Sequence, residues 1–354
     1  MTDAMLSAGE FASLLRHFKA APAAESQFAD LAAAPVERAS LATLQGRGLL
    51  DPAWGEAAAL LAGPAPAVVI RHLLLDGAVE TGFYPPIAGG SGGVLAAREA
   101  AGCRLLFPAG AREAMVRAID PLDPIGAAPP ALFDRSFSPL ALAAFAAAID
   151  QLRALFAISL LERRGIDIAF LRVADLAEQL ELGASVVDNR ALVRLMGALA
   201  PEVAQVPAGD LELGLFELTG MGLLSDVDGR PDLLLPHPEV LALAHAMLSP
   251  LPAVSVLGGA AGTPALHLVR GASLWRLEPL ADGRLRLHGI DGLAAIGLVM
   301  ASLGPVAAPG ANAEATPPPA PSPAASLAPP CPVCGSPTRA GAKFCTKCGA
   351  VLAQ

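Results

Sequence analysis

Four cysteines near the end of the chain carry the most legible chemistry in the sequence. Cys331 and Cys334 are separated by two residues, Cys345 and Cys348 likewise, and ten residues lie between the pairs. Each C-x-x-C can bend into a tight knuckle that directs both sulfurs at one ion, and two knuckles complete a tetrahedral set. Gly335 and Gly349 follow the second cysteine of each pair, where the knuckle backbone often takes a positive φ that glycine adopts cheaply. Phe344 supplies an apolar anchor. Four sulfur ligands leave no open position for water, so the spacing predicts one structural Zn2+ and no catalytic metal. A module this small buries too little surface to fold unaided, and the ion should supply most of its folding free energy. A pair of redox dithiols is the competing reading.

Other residue types that could do chemistry are arranged less favourably. Gly89 to Gly93, GGSGG, satisfies G-x-S-x-G, but a nucleophile elbow needs a strand entering and a helix leaving. Here Pro85 and Pro86 precede and the strand-like VLAAREA follows, so a hairpin turn is expected. His237 and Glu239, taken with Pro330, Cys331 and Cys334, mimic the H-x-E and P-C-x-x-C halves of a zinc deaminase signature. About 90 residues and a proline-rich stretch separate those halves, and Cys345 and Cys348 are the better partners. His17, His72, His237, His245, His267 and His288 lack H-x-x-x-H or H-E-x-x-H spacing. Cys103 lies in an apolar strand pattern, where a cysteine is usually a small buried hydrophobe. The sequence contains no Walker loop and no dinucleotide fingerprint, and a non-enzymatic protein is the expectation.

The stretch from Cys331 to Gly349 resembles the short zinc-ribbon family found at the ends of bacterial proteins. The resemblance implies a docking or stabilising module. Residues 305–330 precede it with nine prolines, little but alanine between them and no aromatic residue. Such a segment cannot pack a core and should mix polyproline II with coil, a disordered linker reaching about 30 Å as coil and at most roughly 80 Å extended.

Charge divides along the same line. All 33 acidic residues precede position 315, whereas Arg339, Lys343 and Lys347 follow it, so the body carries 21 basic residues against 33 acidic ones. A general phosphate-backbone binder would show the opposite balance. The start of the chain has neither a basic cluster nor a long apolar stretch, and the apolar run from Pro139 is interrupted by Asp150 and Arg153. A cytoplasmic protein with no membrane span is expected.

The elements that must position any site in the first 304 residues form an internal repeat. LATLQGRGLL from Leu41 recurs as LFELTGMGLL from Leu215, sharing L-x-x-L-x-G-x-G-L-L. LSAGEFASLL from Leu6 matches LRVADLAEQL from Leu171, and PAPAVVI from Pro64 matches PLPAVSV from Pro250, in the same order with offsets of 165, 174 and 186. Helical spacing ends at Gly48 and Gly222, strand patterns begin after Pro64 and Pro250, and Asp282-Gly283 marks a hairpin turn. Closing helices are expected over Gly110 to Ala118 and Gly292 to Ser302, and a long helix from about Pro139 to Arg163. The expectation is an α+β body: a first lobe over 1–125, a connecting helix region over 126–170 and a second lobe over 171–304. The two lobes, with antiparallel sheets, would be related by a pseudo-two-fold, followed by the linker and a ribbon over 331–354.

The order of helices, glycine-ended turn, P-x-P-A-V strand start, sheet and closing helix resembles the two-lobed EspG family of type VII secretion chaperones. That resemblance implies a protein that shields an apolar helical tip of a secreted client. A second expectation comes from L-x-x-L-x-x-x-G-L-L before a turn, which is also how winged-helix modules end a recognition helix; two such modules and a ribbon would make a transcription regulator. Its helix should carry outward basic residues, yet Leu215 to Leu224 has none and Leu41 to Leu50 has only Arg47. A protein partner is favoured over nucleic acid.

Overall fold

The computed structural model describes residues 1–303 apart from short breaks at 24–25, 27, 37, 64–65, 75–76, 87–89, 131, 164–169, 186–190, 249–250 and 259–264. The linker and all four C-terminal cysteines lie outside the described residues.

The first half opens with a strand, β1 (Thr2–Ser7), and four helices, α1 (Ala8–His17), α2 (Ala29–Ala32), α3 (Arg38–Gly46) and α4 (Ala53–Leu61). Two hairpins follow, β2 (Val68–Leu74) with β3 (Gly77–Tyr84) and β4 (Gly93–Glu99) with β5 (Gly102–Ala109), and then α5 (Ala111–Ile119). The second half opens with β6 (Asp134–Phe137) and the long α6 (Pro139–Glu162). It continues through β7 (Leu171–Arg172), α7 (Val173–Ser185), α8 (Leu192–Leu199), α9 (Pro201–Ala204), α10 (Leu211–Gly220), β8 (Leu224–Val227), β9 (Arg230–Pro236) and α11 (Pro238–Ala246). The last elements are β10 (Ala253–Gly258), β11 (Leu266–Arg270), β12 (Leu274–Pro279), β13 (Leu285–Ile290) and α12 (Gly292–Ser302).

Ten strands form one antiparallel sheet in the order β1-β5-β4-β3-β2-β10-β11-β12-β13-β6. The halves meet where β2 pairs antiparallel with β10, from Ala253 opposite Leu73 to Gly258 opposite Val68. A period-two alternation lets one strand feed two layers. Val68, Ile70, Val254, Val256 and Leu268 pack beneath α5 and α12, whereas Trp275, Leu277 and Leu287 point into the core under α6. The first-half helices cover β4 and β5 through Phe11, Leu14, Trp54 and Cys103.

Several boundaries differ from the sequence reading. The segment 126–170, read as a connection, contributes the edge strand β6. Its four polar-rich residues, DRSF, give too short an alternation to register as a strand, and Arg286 on β13 holds Asp134 in place by two hydrogen bonds. The strand-like VLAAREA ends in a hairpin turn at Ala100–Ala101 and pairs with β5, whose first residue, Gly102, lies so close to β1 that a side chain there would strike the Leu6 carbonyl. The lobes expected over 1–125 and 171–304 share the one sheet.

The helix α6 spans 24 residues and, by length and composition alone, is apolar enough to cross a membrane, but 67% of its most apolar window is buried in the fold. Asp150 and Arg153, which the sequence presents as interruptions, make a buried ion pair 2.7 Å long. The Asp150 carboxylate also accepts from the Leu192 and Val193 amides at 2.9 and 3.0 Å, and so caps α8. Burial pushes this carboxyl up from its ordinary range against the pull of Arg153 and the two amides. At the other end Ser138 caps α6 by accepting from the Ala141 amide.

Candidate functional site

The candidate nucleophiles and titratable groups of the body resolve into structural roles. Ser91 joins two strands, as the hairpin reading required: its amide and hydroxyl donate to one Glu56 oxygen at 2.7 and 2.9 Å. Those bonds, the amide foremost, hold the Glu56 carboxyl below its usual range. Cys103 is fully buried in β5, and desolvation pushes its thiol up to about 12, which keeps it protonated and inert at neutral pH. The exposed His237 caps α11, its Nδ1 accepting from the Glu239 amide at 3.3 Å. Among the described residues no group of three or more His, Cys, Asp or Glu side chains could hold a metal.

One pairing was invisible in the sequence. Ser255 and His267 are twelve residues apart but lie opposite each other on β10 and β11, and Ser255 Oγ is 2.9 Å from His267 Nδ1. Both are buried. Desolvation, helped by Arg71 and opposed by Glu202, pulls His267 down to about 4, so the ring is neutral at physiological pH. No described carboxylate is hydrogen-bonded to that ring, and both side chains are almost wholly shielded from solvent. A sheet register would have found it; residue spacing could not.

Exposed apolar residues are the feature left without a structural role. The last turns of α6 leave the packed body, exposing Ile158, Leu160 and Leu161, the last of them at 85%. On α10, Leu211, Gly214, Leu215 and Leu218 are buried, while Leu213 and Phe216 are 62% and 82% exposed. The helix is held from behind. A Cβ at Gly214 would lie 2.9 Å from that of Ala144, so α10 rests directly on α6. Glu217 accepts from the Ser138 amide at 3.2 Å, from the Ser138 hydroxyl at 2.5 Å and from Arg284 at 2.7 Å. Partial burial raises that carboxyl, but these donors hold it below its usual range.

Beyond α10 the chain enters a small antiparallel sheet in the order β7-β9-β8. The corresponding point in the first half is different. After α3 and Leu50 the chain enters α4, with no described strand between them.

Residues 331–352 match the model of the zinc-ribbon domain. No curated protein matches the chain. The body therefore stands on its own geometry, and the C-terminal segment is a zinc-ribbon domain, which implies zinc binding. The match covers all four tail cysteines, Cys331, Cys334, Cys345 and Cys348, and a donor set of four thiols fits a tetrahedral structural zinc.

Proposed function

We propose that this protein is a non-enzymatic adaptor or chaperone whose body grips a protein partner, with a structural zinc ribbon tethered to its end. Cys331, Cys334, Cys345 and Cys348 hold one Zn2+, and residues 305–330 are the tether. The observation that carries the reading is the exposure of two large apolar side chains one turn apart on α10, Leu213 and Phe216. Groups of this kind, rimmed by polar residues, are what partner proteins cover.

The body is, in this reading, a duplication built about the β2–β10 junction. Counting outward from that junction gives β2, β3, β4, β5 and β1 on one side and β10, β11, β12, β13 and β6 on the other. Each half begins with a strand running into a Ser-capped helix, Ser7 before α1 and Ser138 before α6, and ends with a helix on the same face. The L-x-x-L-x-G-x-G-L-L blocks support it: Gly48 and Gly222 have φ of 69° and 71°, and Leu49 and Leu223 donate to Leu44 and Leu218 at 2.9 and 3.0 Å. The match of Leu6 with Leu171 is replaced, since β1 and β7 lie in different sheets; α6 is the partner of α1. A two-lobed protein of this order keeps the EspG-like chaperone role within the proposal.

A second reading is favoured by one observation, the helix α10 entering a three-stranded sheet, which is how a winged helix presents its recognition helix. A transcription regulator built on that module needs basic residues toward phosphate. The segment 171–246 instead holds twelve acidic residues and four arginines. Purification of the full chain from native lysate separates the two readings by the ultraviolet absorbance ratio of what co-elutes. Protein absorbance supports the adaptor, and salt-sensitive nucleic acid supports the regulator.

A further inference from the structure

The exposed stripe of α10 is written in residues that the helix does not need for its own fold. Glu212, Leu213, Phe216 and Gly220 fall on one face, opposite the buried Leu211, Gly214, Leu215 and Leu218. The offset of 174 that aligns the two glycine-ended blocks places Arg38, Ala39, Ala42 and Gly46 at the same positions of α3. Both helices end in the same left-handed glycine with the same backbone hydrogen bonds. One copy of the motif therefore stands with alanines where the other exposes leucine and phenylalanine. A Cβ at Gly220 would meet nothing within 4 Å, and the same holds at Gly46 of α3.

The surroundings of that stripe are net acidic, although Arg284 reaches Glu217 of α10 at 2.7 Å and the exposed Arg172 on β7 lies near Asp232. Glu212 sits on the stripe, and the hairpin whose first strand, β8, follows α10 and contacts it adds exposed Asp226, Asp228 and Asp232. Among the described residues of α10, β8 and β9 the one cation is Arg230, and it is held by Asp232 through two bonds of 3.0 Å. An apolar ridge with an acidic rim complements an apolar ridge with a basic rim, and it repels phosphate. The exposed Gly220, with no side chain, puts no bulk in the way of a second helix laying its apolar face on Leu213 and Phe216.

We propose that the outer face of α10 and the β8–β9 hairpin form a docking surface for a basic amphipathic helix of a partner protein. The proposal rests on the adaptor reading and gives it a location and a partner chemistry. The probe is a fluorescein-labelled 18-residue peptide of leucine and lysine at helical spacing, titrated with the full chain and followed by anisotropy. Its control has glutamate at the lysine positions. Saturable binding of the basic peptide alone is expected. Leu213→Ala with Phe216→Ala, which installs the alanines of α3, should weaken it at least about tenfold with an unchanged circular dichroism spectrum and Tm. Phe216→Lys, at a position exposed to solvent, should do the same without deleting two side chains. Glu212→Gln with Asp226→Asn and Asp228→Asn should weaken binding and flatten its salt dependence. Equal affinity for the wild type and both apolar variants would overturn the proposal, because attraction to the acidic body as a whole would then suffice; so would the absence of saturable binding. A natural partner that stays bound to the Leu213→Ala, Phe216→Ala chain would remove this surface while leaving the adaptor intact, whereas the absence of any protein partner removes the adaptor itself.

Discussion

His267 shows how far a single residue's behaviour depends on what the fold places over it. Its ordinary pKa of 6.5 falls to about 4 under desolvation, so the folded protein binds fewer protons than the unfolded chain between those values. Stability from this group is complete above about pH 6.5 and is lost as pH falls toward 4. At ~1.4 kcal/mol per unit of pKa displacement the full loss is on the order of 3 kcal/mol. His267→Asn, which keeps a partner for Ser255, should flatten the fall of the urea midpoint across that interval relative to wild type. An unchanged slope would place the ring in contact with water. Cys103 was readable from its apolar neighbours alone. The Ser255 to His267 pair and the Asp150 cap on α8 were not, because each depends on a register or a helix crossing between residues with no local signature.

At the scale of elements, the glycine-ended turns are the most informative pieces of the sequence. Gly48 and Gly222 sit at φ near 70°, where a side chain costs roughly 1–2 kcal/mol. A Cβ at Gly222 would meet nothing within 4 Å, and one at Gly48 only the Asp51 carboxylate at 3.6 Å. Gly48→Ala and Gly222→Ala should therefore destabilise by about the same amount, roughly 1 kcal/mol each by urea denaturation. Unequal losses would mean that the two turns are not equivalent. The helical periodicity of α6, the Asp282-Gly283 turn and the closing helices were legible because each is long or carries its own punctuation. The strands β1 and β6 were not: each is a short sheet edge flanked by a capped helix, and its pairing partner lies far along the chain. The sequence match between Leu6 and Leu171 reflects a shared strand-to-helix turn, a local likeness that occurs in two different sheets.

For the whole molecule, composition separated an acidic body from a tail holding four paired cysteines, and it left the joining of the two halves into one sheet unread. Nothing local announces that β2 and β10 are neighbours, since their pairing closes a loop of more than 170 residues. The tail makes its own prediction. One zinc per chain should be measured by elemental analysis, and Cys345→Ser should lower that content well below one. Chelation should release the ion while the urea transition of the body keeps its midpoint; a large shift would mean that the ribbon and the body fold together. The central claim is that the body captures a protein. The most direct measurement is affinity purification of the full chain and of a chain ending at Gly304 from native lysate, with mass spectrometry and ultraviolet absorbance of what co-elutes. One defined protein bound in stoichiometric amount to both chains, without nucleic-acid absorbance, is the predicted result. Nucleic acid on either chain, or no protein on the shorter one, would contradict it.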